Sequence, residues 1–427
     1  MSGIIIFGLL AVLLFSGMPI SIALGLTVLI YMFALTNVPI EAVALKLFTG
    51  IERFEIMAIP FFILAGNFLT HGGVARRMIR FASAMVGHWH GGLGLAGVLS
   101  CALFAAISGS SPATVVAIGS ILMPAMVRAG FPKEFGTGVI TTAGALGILI
   151  PPSIVMVMYA VSTNTSIGAL FLAGMIPGVV LAFMLGVVTW ERARRFNYPR
   201  EPVASWQERW LAFRESIWGM ALIFVVMGGI YSGIFTATEA AGMSAVYAFL
   251  VSIFVYRDLK LSDTPRVLLE AANMSAMLLY IITNAILFSF LLTFENIPQA
   301  MTAWMLEQGF GAVMFLLAVN LLLLLAGDFM EPSSIILIMA PLLFPVATQL
   351  GIHPVHFGII LTVNMEIGMV TPPVGLNLYI ASGINKMGLT EVTVAAFPWM
   401  MAMLVFLGLV TYWPNLSLWL PRLLGML

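Results

Sequence analysis

The chain reads as an all-α polytopic membrane protein made of two inverted-topology repeats, each with five membrane helices, a re-entrant helical hairpin and a broken helix. Three observations predict this. Of 427 residues, 61% are hydrophobic and only 8% charged, against roughly a quarter charged in an average soluble domain. Apolar segments of about 17–25 residues, enough to cross a hydrocarbon core of roughly 30 Å, recur from end to end and leave no soluble domain over. Motifs of the first half also return in the second, at an offset of about 220 residues. Pro112 in "SGSSPATVVAIGSILMP" answers Pro332 in "GDFMEPSSIILIMAPLLFP", and "GILIPPS" at 147–153 answers "GMVTPPV" at 368–374. Gly130 pairs in the same way with Gly351, Phe135-Gly136 with Phe357-Gly358, and Tyr159 with Tyr379.

Taken in order, "MSGIIIFGLL" lacks a basic n-region and a small-residue cleavage site, so it reads as the first membrane helix (near 3–17) and not as a removed signal. Helices are expected next near 19–37 and 56–71. The apolar block 91–127 is interrupted at "ISGSSPA" and reads as the hairpin, followed by the broken helix 137–162 and a helix near 168–190. Repeat 1 thus covers 1–200. A connector over 201–215 sets Trp206, Trp210 and Phe213 at i, i+4, i+7, with Glu208 and Arg209 elsewhere, as an amphipathic segment in the membrane interface does. Repeat 2 covers 216–427, with its hairpin at 312–348 and its broken helix at 357–383.

An odd number of crossings turns the second half upside down relative to the first. The positive-inside rule fits a periplasmic N-terminus. Arg76, Arg77, Arg80, Arg128, Lys133, the group from Arg192 to Arg200, Arg257, Lys260 and Lys386 then fall on the cytoplasmic side, with Lys46, Arg53 and Arg422 as exceptions. The two hairpins open to opposite faces, the symmetry of an alternating-access carrier.

Composition also excludes. The single cysteine, Cys101, rules out an internal disulfide and any multi-cysteine metal centre. The net charge of zero by itself says nothing about a nucleic-acid partner, but the few charges are sorted by side and not pooled in a patch; no nucleic acid is expected, and the lipid bilayer is the expected environment. "GSSPA" lacks a histidine base within a membrane helix, and "LAGDF" lacks the facing second aspartate of an intramembrane protease, since Asp258 and Asp263 lie in a loop. The chain is not expected to be an enzyme.

A hairpin tip ending inside the bilayer leaves carbonyls and N–H groups unpaired, and these are tolerated only within protein or beside a water-filled cavity. The first tip is Ser108-Gly109-Ser110-Ser111-Pro112, opposed by Gly144-x-x-Gly147-x-x-x-Pro151-Pro152-Ser153. The second runs from Gly327-Asp328 to Ser333-Ser334, opposed by Gly368 through Thr371-Pro372-Pro373. Glycine admits close backbone approach and proline breaks the helix. Both pairs therefore expose oxygens suited to a hard cation, and Asp328 supplies a carboxylate that needs a cation or proton beside it. One such break alone is more often a packing device, whereas two related by repeat favour a site. Glu331 beside the turn is open to a hydrogen-bonding role, and Glu366 to pairing, protonation or cavity lining. Thr141, Thr142 and Thr362 read as packing residues bonded to their own helices. A cation channel with a re-entrant filter stays open as an alternative.

Four stretches carry a family resemblance: "AIPFFILAGNFLTHGG" (58–73), "AAISGSSPATVVAIGSI" (105–121), "GILIPPSIVMVMYA" (147–160) and "GGIYSGIFTATEAAGMSAVYA" (228–248). Over essentially its whole length the chain resembles the large membrane subunit of the tripartite ATP-independent periplasmic (TRAP) transporters. Ala237 stands where that family often has proline. The resemblance implies a sodium-driven importer of an organic acid (C4-dicarboxylate, sialic acid or keto acid class) in the bacterial inner membrane. Sodium would be its coupling ion, with no other cofactor. It implies two partners, a small four-helix membrane subunit and a periplasmic substrate-binding protein. It implies an elevator-type transport domain moving against a scaffold, with arms near 40–55 and 258–272. By matching position, one sodium site would use Ser108, Gly109, Ser110, Gly144 and Gly147, and a second Gly327, Asp328, Gly368 and Thr371. The substrate carboxylate would be held near Ser111, Ser153, Ser333 and Ser334. A stand-alone sodium- or proton-coupled carboxylate carrier is the other implied possibility. If Asp328 is a ligand, Asp328→Asn weakens the sodium dependence of transport far more than it lowers thermal stability; unaltered sodium activation in that variant would refute the role.

Overall fold

Low charge and recurrent apolar segments leave the helix as the one secondary structure that satisfies each backbone group within its own segment. The computed structural model describes residues 2–36, 38–328 and 330–427, and its regular elements there are all helical. The first half comprises α1 (Ser2–Phe15), α2 (Ile20–Leu35), α3 (Ile40–Ile51), α4 (Ala58–His71), α5 (Val74–Val86), α6 (Gly92–Ser108), α7 (Ser111–Arg128), α8 (Lys133–Ala143), α9 (Ile154–Thr163) and α10 (Ile167–Arg195). The second comprises α11 (Trp206–Tyr231), α12 (Ala237–Leu250), α13 (Thr264–Phe294), α14 (Ile297–Glu307), α15 (Ala312–Gly327), α16 (Pro332–Gln349), α17 (Pro354–Gly368), α18 (Leu376–Asn385), α19 (Leu389–Tyr412) and α20 (Asn415–Leu423). Among the described residues, eight helical stretches are long and apolar enough to cross a membrane.

The interruptions fall where glycine and proline put them. The block 91–127 divides into α6 and α7, and 312–348 into α15 and α16. The broken helices become α8 and α9, separated by a 3₁₀ turn over Gly144–Ile148 and the two prolines, and α17 and α18, separated by Pro372-Pro373.

The structure adds to the sequence reading at three places. The connector 201–215 does not stand apart. A capping box between Ser205 and Glu208 starts α11, which runs unbroken to Tyr231 because no proline interrupts the stretch. Of the stretches expected as arms, 40–55 holds the separate helix α3 and the beginning of a 3₁₀ turn (Phe54–Met57), while most of 258–272 is the start of the long α13. The arginine-rich stretch after Gly73, for which the sequence offers no membrane span, is helix α5, with Val74, Ala75, Met78, Ile79 and Ala82 buried at helical spacing.

Helix α13 packs on α2, α3 and α4, and α4 and α12 share an extensive interface. The hairpins and broken helices interlock across the halves: α18 packs on α7 and α8, and α16 on α9. The core is densest around α17, where every residue from Val355 to Gly368 is buried. Buried bonds tie distant elements together, including Trp399 Nε1 to Thr189 Oγ1 (2.8 Å) and Tyr159 OH to the Pro354 carbonyl (2.7 Å).

The stretch "GIFTATEAA" has a local role. Thr236 caps α12, its side chain accepting from Glu239 N, while the Glu239 carboxylate accepts from Thr236 N (2.8 Å). Ala237 is therefore the first helical residue. There a proline loses nothing, because that N–H has no helical partner. Thr236→Ala is expected to lower stability by about 1 kcal/mol, whereas Ala237→Pro leaves the melting temperature of the purified protein nearly unchanged.

Candidate functional site

Each hairpin tip meets a helix break backbone to backbone. In the first half, α6 ends at Gly109, whose positive φ (58°) turns the chain. A Cβ placed there would lie 2.8 Å from the Pro152 carbonyl oxygen, so only glycine fits. On the other wall, a Cβ on Gly147 would come within 2.6 Å of the Ser110 carbonyl oxygen, and one on Gly144 within 2.2 Å of a Val115 methyl. Ser108 Oγ sits 2.9 Å from Thr114 Oγ1, which donates to the Ser110 carbonyl (2.8 Å). The structure thus brings Ser108, Gly109, Ser110, Gly144 and Gly147 into one neighbourhood of hydroxyls and carbonyls.

The second half repeats the arrangement with different chemistry. Gly327 and Gly368 touch directly: a Cβ on Gly368 would lie 2.7 Å from Gly327 Cα. The Asp328 carbonyl accepts from Val374 N (3.2 Å), fastening the tip to the break. Among the described residues, Asp328 Oδ1 is buried without a hydrogen-bond partner. Thr371 donates its hydroxyl to the Ile367 carbonyl (2.7 Å), which leaves only oxygen lone pairs to offer. A cavity of about 90 Å³ lies beside this tip, lined by Gly327, Glu331, Met369 and Gly375 among others.

The four serines lie at the hairpin tips and the first break and are all engaged. Ser153 caps α9, its Oγ accepting from Met156 N and donating to the Ile148 carbonyl (2.6 Å). Ser111 Oγ accepts from Asn377 Nδ2 (2.8 Å). Ser333 Oγ donates to Glu331 Oε1 (2.6 Å), and Ser334 N donates to Glu331 Oε2 (3.2 Å). Glu331 is accordingly the N-cap of α16. Glu366, by contrast, is fully buried, with neither carboxylate oxygen hydrogen-bonded among the described residues. Thr141, Thr142 and Thr362 bond back to carbonyls of their own helices, as expected.

Sequence reasoning passed over Asn377. Its Nδ2 bonds both Ser111 Oγ and the Thr141 carbonyl (3.2 Å), joining the second break to the first hairpin, while its Oδ1 stays unpartnered among the described residues. Its position just after the double proline was the available signal. Asn385 Nδ2 adds a parallel tie to Thr137 Oγ1. Also missed was a buried polar chain in which Asn364 donates to Asn320 (2.8 Å) and Asn320 to Thr411 (3.0 Å). His356, at the start of α17, is buried and pairs with Ser417 (2.8 Å), far in sequence from "GSSPA". A separate cavity of about 720 Å³ lies between the α9–α10 and α11–α12 corners. Arg53 lines it and donates to the Val161 carbonyl (2.6 Å) and Asn164 Oδ1 (2.7 Å).

Membrane-length helices surrounding buried polar groups at helix breaks define the class: a multi-pass membrane transport protein. The chain belongs to the family of the tripartite ATP-independent periplasmic transporter, DctM component, whose family model matches residues 7–416. It is 69% identical to the C4-dicarboxylate TRAP transporter large permease protein DctM of Rhodobacter capsulatus, over 100% of both chains. It is 40% identical to the isethionate TRAP transporter permease protein DctMQ of Oleidesulfovibrio alaskensis, covering 97% of this chain and 65% of that one. Its fold is similar to the solved structure of the YdaH transporter of Alcanivorax borkumensis (TM-score 0.59, 16% identity, 91% of this chain and 89% of that chain).

Because the Gly327–Gly368 contact is backbone on backbone, no side chain there can swing away. Gly368→Ala is expected to cost about 1–3 kcal/mol and to abolish transport, whereas Gly383→Ala on α18, which meets only open space, leaves melting and uptake at wild-type values.

Proposed function

We propose that this chain is the large permease subunit of an inner-membrane importer that moves a C4-dicarboxylate by sodium-coupled alternating access. The observation that carries the reading is that in each half a hairpin tip meets the same glycine of the break, Ser110 against Gly147 and Gly327 against Gly368. Each places helix-end carbonyls and hydroxyls at a buried junction, the oxygen-only donor set of a hard cation. One sodium would lie among Ser108, Gly109, Ser110, Gly144 and Gly147, and a second among Gly327, Asp328, Gly368 and Thr371, where the unpartnered Asp328 oxygen supports a ligand role.

The substrate would sit between the tips, its carboxylates bonded by Ser111, Ser153, Ser333 and Ser334 and by nearby N–H groups. Those hydroxyls are now held by Asn377, the Ile148 carbonyl and Glu331, so substrate entry exchanges these bonds for new ones. Bound sodium would supply the positive charge that the tips lack, which couples the two occupancies. A 69% identical relative named for C4-dicarboxylates and a more distant one named for isethionate agree on a small anion and favour the former.

The isethionate relative is a single chain of which this one matches about two thirds. That remainder supports a separate small membrane subunit here, and the family's description as periplasmic and tripartite supports a substrate-binding protein outside the membrane. The bonds from Asn377 and Asn385 to the first half support hairpins and breaks moving as one transport unit against the scaffold, with the N-terminus periplasmic.

The test is uptake of radiolabelled C4-dicarboxylates into proteoliposomes holding this chain and its small subunit, with and without an inward sodium gradient and the binding protein. Uptake that needs both is expected. Uptake with sodium alone would replace this reading with a stand-alone carrier, and substrate-independent currents with a channel.

A further inference from the structure

Away from the hairpins the structure builds a second site of opposite charge. A cavity of about 510 Å³ opens between α5, the first turns of α11 and the turn after α12, and four arginines and two acids line it. The charges are unevenly spent. Arg77 is paired with Asp258, and its guanidinium lies 3.8 Å over the Tyr256 ring. Arg80 Nη1 donates to both oxygens of Glu215 (2.8 and 2.6 Å). These two pairs fix the walls.

The other two arginines remain in surplus. Arg76 reaches Asp258 only at 3.4 Å, an acid already engaged by Arg77, and its side chain is 68% exposed. Arg214 is exposed, with no ion pair or hydrogen bond to any described residue. Two guanidinium groups in one concave site, with donors unused, match the geometry of phosphate oxygens better than a lysine would.

The remaining lining shows what the phosphate is attached to. Leu211, Trp218 and Val255 line the same cavity and are exposed. Leu211, Arg214 and Trp218 lie on one face of α11 by their spacing, and Trp206 and Trp210 are exposed on the preceding turns. Tryptophan gathers at the level of lipid headgroups. An ion with no apolar part would leave that side of the cavity without a partner, whereas a lipid fills both sides at once.

We propose that this cavity binds an anionic phospholipid, with Arg76 and Arg214 holding the headgroup phosphate and Leu211, Trp218 and Val255 meeting the acyl region. The lipid would bridge α5 and α11, two helices that pack on each other and on α6 of the first hairpin.

The test uses the intact purified chain in detergent, read by native mass spectrometry and by thermal melting with added dioleoylphosphatidylglycerol, dioleoylphosphatidylcholine or inorganic phosphate. Phosphatidylglycerol is expected to be retained and to raise the melting temperature, with phosphatidylcholine and inorganic phosphate doing neither. The double variant Arg76→Gln/Arg214→Gln leaves both wall pairs intact. It should bind phosphatidylglycerol about 25-fold more weakly, at about fivefold per arginine, while Arg76→Lys/Arg214→Lys, which keeps the charge and loses the fork geometry, falls between it and the wild type. Equal retention by the glutamine variant, or of the two lipids by the wild type, would overturn the assignment. A melting shift from inorganic phosphate as large as that from lipid would make this a small-anion site. Absence of lipid discrimination, with a co-purified partner subunit shielding Arg214 from phenylglyoxal, would make it a protein interface.

Discussion

Every helix end buried in a membrane protein carries backbone groups that water cannot reach, and finding partners for them is the constraint on which this structure rests. The two hairpin tips meet it by different means. At the first, serine and threonine hydroxyls and a left-handed glycine close the turn, and Ser153 caps the helix that follows the break. At the second, a carboxylate does the capping: Glu331 collects the N–H of Ser334 and the hydroxyl of Ser333, leaving Asp328, three residues earlier, with an oxygen unassigned. Two acids in one apolar hairpin thus serve unlike purposes, and only the neighbours of each tell them apart.

What could be read in the sequence was whatever glycine and proline mark. Both hairpin turns and both helix breaks were legible because these residues alter the backbone wherever they occur, independent of tertiary context. That Gly327 faces Gly368 was legible from the spacing of the repeat, but the direct approach of one backbone to the other was not, since no residue type encodes a distance. Helix α5 was hidden by Arg76, Arg77 and Arg80, which suggest a loop to a reader sorting charges by side. The unbroken α11 was hidden by the change from interfacial to apolar composition near residue 215, which resembles a boundary although no residue there stops a helix. For Asn377 the position after the double proline was the one local signal; the bond itself was not legible, because its partner Ser111 lies 266 residues away.

Polar groups outside the tips serve cohesion more than chemistry. Arg53, an exception to the sorting of charge, satisfies the end of α9 through Val161 and Asn164. The Asn364, Asn320 and Thr411 series and the pairing of His356 with Ser417 give α17 specific neighbours in α15, α19 and α20, where apolar packing alone would leave its rotation less defined.

That enclosure of α17 bears on how the chain enters the membrane. With 15 residues at about 1.5 Å each, α17 reaches about 22 Å, short of a hydrocarbon core of roughly 30 Å. It also carries Asn364 and Glu366 into the interior, and lipid offers these groups nothing. A segment of this kind has little insertion energy of its own, so its place is secured by helices made before and after it. Biogenesis of the permease therefore cannot be a simple series of independent crossings: its central helix settles only once α15, α16 and α19 have arrived to receive it.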